Sequence, residues 1–368
     1  MARRHSYRPG SASVAGAAVA EMEFGDVAIE AGAAASGAAL NGDLARSRVE
    51  TIASNPLSGP IIVPARVAIG GTGLTAHPVV LGASTFGWTL GADEAFAVLD
   101  RFVSVGGSLI DTADSYVAGR SESIIGMWME SRRTRDRVRV LTKIGRHADA
   151  AGLAPAQINA AVDGSLSRLG VERIDLVHFH GEDPDVPLEE SLGAIDALIA
   201  AGKVGAIGAS DFSPERLIEA RVLAANGLPR FETYTTRYNL MERRAFEGAP
   251  ELVAHAQGLA VLPYFALANG FLGGQVRRRA DVRHDARGAR QARHLGRRGH
   301  RVLAALDSVA FARGMQPATI ALAWLLAKPT VAAPVASATK PEQVDALVSA
   351  AAVELTRSEL VELDRASA

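Results

Sequence analysis

The sequence predicts a (β/α)8 barrel, in which eight parallel strands close into a cylinder with helices outside. After residue 62, eight short apolar runs alternate with amphipathic stretches, a pattern typical of parallel sheets. Eight such units fit into about 300 residues. An open doubly wound sheet is the alternative, but it usually carries a G-x-G-x-x-G turn after its first strand. Here the first run continues as LGASTFGWTLG, which lacks that spacing.

The predicted strands are short runs rich in aliphatic residues, and the predicted helices repeat apolar residues at intervals of three and four. The strands are VVLGAS (79–84), SLIDTA (108–113), VRVLTKI (138–144), IDLVHFH (174–180), VGAIGAS (204–210), FETYTTRY (231–238), LAVLPYFA (259–266) and VAAPVAS (331–337). The clearest helices, each ending in Gly, are ADEAFAVLDRFVSVG (92–106), LEESLGAIDALIAAG (188–202) and SPERLIEARVLAANG (213–227).

Residues 1–62 are dominated by Ala, Gly and Ser, and we predict a disordered extension there, with the barrel over 63–368. Such a composition buries too little apolar surface to offset the entropy of ordering the chain. The basic N-terminus loosely resembles an export signal, but Glu21 and Glu23 interrupt its short apolar run. No run approaches the ~20 apolar residues of a membrane span, so we predict no membrane association.

The composition restricts the classes of function. The 368 residues carry a formal net charge of −1, which gives no general attraction to nucleic acid. The chain has no cysteine, which excludes disulfides, cysteine–metal sites and thiol nucleophiles and fits a cytoplasmic protein. Whether the protein is a monomer or a homo-oligomer stays open at this point.

Four chemistry-bearing residues fall where barrel enzymes place their active sites, at the carboxyl ends of strands. Asp111 and Lys143 end the second and third strands, His180 ends the fourth, and Tyr116 follows the second. A buried carboxylate is costly unless paired, so we expect Lys143 beside Asp111. An ammonium lowers the pKa of a nearby phenol, so Tyr116 is expected to protonate a carbonyl oxygen with His180 as a second donor. None of the four is a hydride source, so a cofactor is implied.

Several motifs occur in order at these strand ends: RVAIGGTGLTAHPVVLGASTFGW, LIDTADSYVAGRSE, LTK, IDLVHFH, VGAIGASDF, YNL, PYFALANGFLGG and ALAWLLAKPTVAAPVASATKPEQV. With these motifs, residues 63–366 resemble the aldo-keto reductase family. The resemblance implies a nicotinamide cofactor across the carboxyl-terminal face of the barrel and a small-molecule aldehyde or ketone as substrate. It also implies a catalytic tetrad of Asp111, Tyr116, Lys143 and His180, with Tyr116 as general acid in reduction and general base in alcohol oxidation.

The resemblance further implies a set of cofactor contacts. Ser210 matches the serine that holds the nicotinamide carboxamide, and Tyr264 matches the aromatic residue stacked on that ring. The remaining implied contacts are Asp211, Thr235, Ala266, Leu267, Gly270, Ser337, Thr339, Lys340 and Gln343. An adenosine phosphate at Lys340 would meet a cation at a helix N-terminus, so NADPH is expected, with NADH possible.

Four positions depart from the family pattern. Asp211 stands where the family usually has Asn, and an ionised Asp cannot donate to the carboxamide oxygen. Thr235 replaces a longer glutamine, Leu347 replaces an asparagine that contacts adenine, and Phe265 replaces a small polar residue. These departures bear on cofactor affinity and on the choice between NADPH and NADH.

The substrate pocket is predicted from loop aromatics. Phe86 and Trp88 follow the first strand, and together with Phe265 they favour an apolar or aromatic carbonyl compound. Simple packing against a neighbouring loop is the alternative for Trp88. The basic segment 277–301 lacks the aromatics of single-strand nucleic-acid sites. We predict a solvated loop there or, alternatively, a flap over the cofactor phosphates that uses Arg277, Arg278 and Arg279.

Two other functions stay open. His178 and His180 share a strand face, which would suit a metal-dependent hydrolase, but the other histidines lie away from strand ends. We therefore expect no metal site, and we expect His178 to be a hydrogen-bonded core residue. The second alternative is an NADPH-binding regulatory subunit, as in some relatives of this fold. Deleting residues 1–62 would separate the two, because an enzyme would keep its turnover.

Overall fold

A computed structural model describes residues 66–368, and the prediction for residues 1–62 lies outside this part of the chain. The strands are β1 (Val67–Ala68), β2 (Thr75–Ala76), β3 (Val80–Gly82), β4 (Leu109–Asp111), β5 (Arg139–Ile144), β6 (Ile174–Phe179), β7 (Val204–Ser210), β8 (Phe231–Thr235), β9 (Ala260–Val261) and β10 (Val335–Ala336). The helices are α1 (Ala92–Ser104), α2 (Arg120–Arg132), α3 (Pro155–Leu169), α4 (Leu188–Ala200), α5 (Pro214–Ala225), α6 (Ala249–Gln257), α7 (Ala286–Ala292), α8 (Arg297–Arg313), α9 (Pro317–Leu326), α10 (Pro341–Val348) and α11 (Arg357–Ser367).

The eight strands from β3 to β10 form one parallel sheet that closes into a barrel. Their order is β10-β3-β4-β5-β6-β7-β8-β9. The two ends of this order are also joined, because the Val335 N–H donates to the Pro263 carbonyl at 2.8 Å and the Ala332 N–H donates to the Val261 carbonyl at 2.9 Å. Each predicted run contains one of these strands, so the (β/α)8 prediction is confirmed.

The helices begin and end at residues suited to those positions. Pro155 opens α3, where a missing N–H costs nothing, and Gly170 ends that helix in the left-handed conformation (φ 64°). Gly314 ends α8 in the same way, at φ 61°. Thr356 and Glu359 form a reciprocal capping box at the start of α11.

A short hairpin, β1 and β2, packs against the inside of the barrel. Its residues Ile69 and Ala76 belong to one buried cluster with Leu109, Leu141 and Leu176, near the amino-terminal ends of the strands. The sequence analysis did not predict this hairpin, because strands of two residues show no periodicity. It fills the end of the barrel opposite the predicted site.

The inward-facing positions that follow this apolar layer along the strands are polar. Residues two apart on a strand face the same side, so the positions after Leu109 and Leu141 on the inner face are Asp111 and Lys143. The sheet register pairs Lys143 with His178 on β6. The carboxyl-terminal face of the barrel therefore carries the polar side chains.

Two further features were tested by the structure. The prediction of a loop over 277–301 is wrong: this segment contains a 3-10 turn (Arg279–Asp281), α7 and the start of α8. Within residues 66–368, no single helix has the length and apolar character of a membrane span, and only α8 and α9 together, bent by 97°, reach it.

Candidate active site

Lys143 and Asp111 form a buried ion pair at the centre of the site. The Lys143 Nζ lies 2.5 Å from Asp111 Oδ1, and each residue is only 2% exposed. Nζ also donates to the Thr112 carbonyl at 3.1 Å and to the Tyr116 hydroxyl at 3.4 Å. The three protons of the ammonium thus have three acceptors, which meets the expectation that a cation lies beside Asp111.

The loop after β4 places the half-buried Tyr116 beside Lys143, whose ammonium also contacts the buried Asp111. An ammonium can only donate, so the Tyr116 oxygen accepts in its contact with Lys143. The phenol proton is therefore not used in this contact. The ring edge of Tyr116 also meets His180, with centroids 6.0 Å apart and planes at 79°.

The pKa of Tyr116 differs from the expectation. Burial is the largest effect and raises the pKa above its usual 10.0, while the charge of Lys143 acts in the opposite direction without prevailing. The expected lowering is thus wrong for this chain, because the sequence does not show how dry the hydroxyl is. For Lys143, burial favours the neutral amine, but Asp111 and Tyr116 raise its pKa overall, so it stays charged.

His180 follows β6 and is half-buried at the edge of the site. Burial, and then the charge of Lys143, hold the pKa of His180 well below its usual value. The imidazole is therefore neutral at neutral pH and carries one ring proton. The Ser115 hydroxyl lies 3.5 Å from its Nδ1, which is the long limit of a hydrogen bond.

His178 is a core histidine, as predicted. It has no exposed surface, and its Nδ1 and Nε2 each lie 2.6 Å from a hydroxyl, of Thr235 and Thr233 respectively. Thr235, an implied cofactor contact, is itself fully buried and engaged in this bond. No described group of three or more histidine, aspartate or glutamate side chains is arranged to hold a metal.

Three implied cofactor contacts meet on the far side of the barrel mouth. Ser210 ends β7, is buried, and its hydroxyl makes no hydrogen bond among the described residues. Asp211 follows in the left-handed region (φ 53°), which Asp and Asn tolerate better than most residues. The Tyr264 hydroxyl donates to Asp211 Oδ2 at 2.8 Å, and Arg237 lies 6.0 Å over the Tyr264 ring.

The loop after β9 holds the contacts at 265–270. Phe265 and Asn269 adopt positive φ values of 51° and 58°, and Gly270 one of 92°. Ala266 is buried and Leu267 is half-buried. The loop is fastened by α7, since Arg287 Nε and Gln291 Nε2 both donate to the Asn269 carbonyl, at 3.1 and 2.9 Å.

Arg287 is a candidate that the sequence analysis missed. It is half-buried, forms no ion pair with a described residue, and its Nη2 would lie 3.2 Å from a Cβ placed on Gly270. Burial lowers its pKa, the direction expected of a cation without a partner. Arg277 and Arg278, which we had favoured, instead pair with Asp307 and Asp281. The segment 277–301 contains ten arginines, and nothing in their spacing singled out this one.

The contacts implied for the adenosine phosphate lie around the start of α10. Lys340 is exposed at the N-cap position, and Ser337 and Thr339 are half-buried just before it. The Gln343 side-chain oxygen accepts from the Thr339 backbone at 2.8 Å. The side-chain amide of Gln343 and the Lys340 ammonium remain directed at no described acceptor.

The predicted pocket aromatics separate. Phe86 has no exposed surface and packs in the main hydrophobic core, so it does not line a pocket in this structure. Trp88 lines a cavity of about 420 Å³ with Arg120 and Met127, but none of the tetrad residues lines it. Phe265 is half-buried, and its ring packs edge-on against that of Tyr264, with the ring centroids 5.0 Å apart.

This fold and site define a barrel enzyme in which a buried ammonium contacts a protonated phenol beside a neutral imidazole. A model of the aldo/keto reductase family matches residues 78–368. The chain is 31% identical over 313 residues to norsolorinic acid reductase stcV of Emericella nidulans, covering 79% of this chain and 78% of that one. It is 32% identical over 297 residues to aldo-keto reductase YhdN of Bacillus subtilis, covering 76% and 86%.

A third relative, aryl-alcohol dehydrogenase GME11368 of Pestalotiopsis microspora, is 29% identical over 307 residues, covering 78% of each chain. The chain belongs to the aldo/keto reductase family, and it is an oxidoreductase of the kind that reduces carbonyl groups with NAD(P)H. The resemblance seen in the sequence is confirmed.

Proposed function

We propose that the protein reduces aromatic aldehydes or ketones to alcohols with NADPH, with Tyr116 as the proton donor. One observation carries the proposal: the Tyr116 oxygen accepts from Lys143 and so keeps its own proton for a substrate. Because burial raises the pKa of Tyr116 above its usual 10.0, the phenol is protonated at neutral pH. His180, neutral and adjacent, supplies a second donor to the same carbonyl oxygen.

The residues present fit a nicotinamide dinucleotide. Ser210 offers a free hydroxyl, Tyr264 an aromatic face, and Arg287 a half-buried guanidinium without a carboxylate partner. Such a cation suits a pyrophosphate, because charge-assisted bonds to phosphate are strong. Lys340 at the start of α10 would add a cation for a further phosphate, which favours NADPH.

When bound, the reduced nicotinamide supplies the hydride that adds to the carbonyl carbon. Tyr116 gives its proton to the carbonyl oxygen as negative charge develops there, and the alcohol forms. Lys143 then faces a phenolate and stabilises it, while Asp111 keeps Lys143 charged. A solvent proton restores Tyr116, so each turnover consumes one hydride and one proton.

The preference for an aromatic substrate is supported by Phe265, which is half-buried beside Tyr264, and by the name of one relative. One relative is named as an aryl-alcohol dehydrogenase. An aryl alcohol is the reduced form of an aromatic aldehyde.

The test is to titrate NADPH and NADH by fluorescence and then to measure reduction of a carbonyl panel by wild type and Tyr116→Phe. Both proteins should bind NADPH more tightly than NADH, which shows that the variant is folded. Turnover should fall at least about a hundredfold in the variant, since it lacks the general acid. An undiminished rate in Tyr116→Phe would remove Tyr116 from this role.

A further inference from the structure

Arg146 stands on the part of the barrel mouth where a substrate has to lie. The implied nicotinamide contacts follow β7 and β9, whereas the tetrad comes from β4, β5 and β6 and the loop after β4. Arg146 comes two residues after the end of β5 and three after Lys143. A carbonyl compound held at Tyr116 and His180 therefore lies within the same sector of the mouth as Arg146.

The side chain of Arg146 crosses to the neighbouring loop. Gly145 turns the chain with φ 103°, and a Cβ placed on Gly181 would lie only 2.8 Å from Arg146 Nη2. Gly181 directly follows His180. The guanidinium of the exposed Arg146 thus lies against the backbone of the residue that follows His180.

Arg146 forms no direct ion pair with a described carboxylate, although its charge acts to lower the pKa of Asp211. Its side chain also forms no hydrogen bond with a described residue. Glu182 accepts from the Ser213 backbone N–H, and Asp211 accepts from Tyr264. The charge of Arg146 is nevertheless felt inside the site, where it acts to lower the pKa values of Tyr116 and His180.

A cation kept without a partner at the mouth of a binding site is suited to an anionic group of the ligand. The planar guanidinium binds a carboxylate through two parallel hydrogen bonds. We propose that Arg146 is a specificity-determining residue and that the physiological substrate is an aromatic aldehyde or ketone that carries a carboxylate or a similar anion. This inference rests on the proposed function.

The test compares 4-carboxybenzaldehyde with its neutral methyl ester, methyl 4-formylbenzoate, at low ionic strength. Wild type should show a kcat/KM at least tenfold higher for the carboxylate, which is about 1.4 kcal/mol. Arg146→Gln should remove this preference, and Arg146→Lys should keep part of it. Added salt should reduce the preference in wild type, because the group is exposed to solvent.

Arg137→Gln is the matched control. Arg137 is also exposed and also without a side-chain partner, but it precedes β5 and so lies at the opposite end of the same strand. It should keep the wild-type ratio of the two kcat/KM values. The inference is overturned if Arg146→Gln and wild type show the same ratio, or if wild type prefers the ester.

A binding measurement separates this inference from the proposed function. Calorimetry in the presence of NADP⁺ measures the affinity of wild type and Arg146→Gln for 4-carboxybenzyl alcohol and 4-methylbenzyl alcohol. It reports the contribution of Arg146 to binding without requiring turnover. If wild type reduces neither aldehyde but binds the carboxylated alcohol through Arg146, the proposed function fails, whereas the part of this inference that assigns an anionic ligand to Arg146 stands. If wild type reduces both but Arg146→Gln binds both alcohols as wild type does, the reverse holds.

Discussion

The ammonium of Lys143 lies 2.5 Å from the carboxylate of Asp111, and both side chains are closed to solvent. The sheet register explains the contact: Asp111 pairs with Leu141 on the adjacent strand, and Lys143 is the next inward-facing residue. A pair held in this way is balanced only as long as both charges are present, because a lone buried charge is costly.

The double substitution of this pair should destabilise the fold by less than the sum of the two single substitutions. We expect Lys143→Met and Asp111→Asn each to lower the free energy of unfolding by about 3 to 5 kcal/mol. The double variant should lose less than their sum, because no charge is left unpaired. Urea unfolding of the four proteins measures this coupling.

The exposed pair of Arg132 and Asp100, with 46% and 43% of their side chains accessible, provides the control. The coupling between Arg132→Met and Asp100→Asn should stay below about 1 kcal/mol. Strict additivity at Lys143 and Asp111 would show that the buried pair is not coupled as the geometry implies.

The pH profile of reduction should be flat around neutrality. Burial raises the pKa of Tyr116 above 10.0, so the phenol is protonated throughout this range. The pKa of His180 lies well below 6.5, so the imidazole is neutral. At saturating NADPH we expect kcat to be level from about pH 6.5 to about pH 9. Steady-state rates across this range check the prediction, and a limb with its midpoint inside it would contradict it.

The fold was predictable where strands are long. IDLVHFH became Ile174–Phe179 and VRVLTKI became Arg139–Ile144, because a buried parallel strand needs a continuous apolar run. The hairpin of β1 and β2 was not predictable, since its stability comes from tertiary contacts of Ile69 and Ala76 with the barrel interior.

The site was predictable where position follows from strand period. Asp111 and Lys143 come together because both end parallel strands of one barrel. Loop side chains do not obey that rule, which is why Phe86 was expected in a pocket and lies in the core. The direction of the pKa shift at Tyr116 was misjudged for a related reason. It depends on how completely the hydroxyl is buried, and the spacing of residues in the sequence does not show burial.

Arg287 should contribute more to cofactor binding than the arginines singled out from the sequence. It is half-buried against the loop at Asn269 and has no ion-pair partner, whereas the side chain of Arg278 is 81% exposed and pairs with Asp281. A charge-assisted bond to phosphate is worth roughly 1.5 to 3 kcal/mol. Arg287→Gln should therefore raise the Kd for NADPH by about ten- to a hundredfold.

Fluorescence titration at several salt concentrations checks this prediction. Arg278→Gln is the matched control and should leave the Kd within about twofold of wild type. The salt dependence should be shallower in Arg287→Gln than in wild type, because one cation–phosphate contact is missing. Equal Kd values for Arg287→Gln and Arg278→Gln would show that Arg287 does not bind a phosphate of the cofactor.

Asp114 is a buried carboxylate that the catalytic chemistry does not use. Its Oδ2 accepts from the Gly145 N–H at 3.1 Å, while its Oδ1 has no hydrogen-bond partner among the described residues. Burial, and then the charge of Glu122, raise the pKa of Asp114 from 3.8 to about 6, although Gly145, His147 and Arg168 act in the opposite direction. Folding therefore takes up a proton at this group between these two values.

This linkage fixes the sign of a pH effect on stability. Because the folded pKa is the higher one, the contribution of Asp114 is fully present below pH 3.8 and is lost as the pH rises through about 6. Asp114→Asn keeps an acceptor for Gly145 but cannot ionise. Relative to wild type, its free energy of unfolding should gain roughly 2.4 kcal/mol between pH 4 and pH 7.5, as measured by urea unfolding at each pH. The exposed Asp136, replaced by Asn, should show a change below about 0.5 kcal/mol over the same range. Parallel stability curves for Asp114→Asn and wild type would mean that Asp114 titrates alike in the folded and unfolded chains.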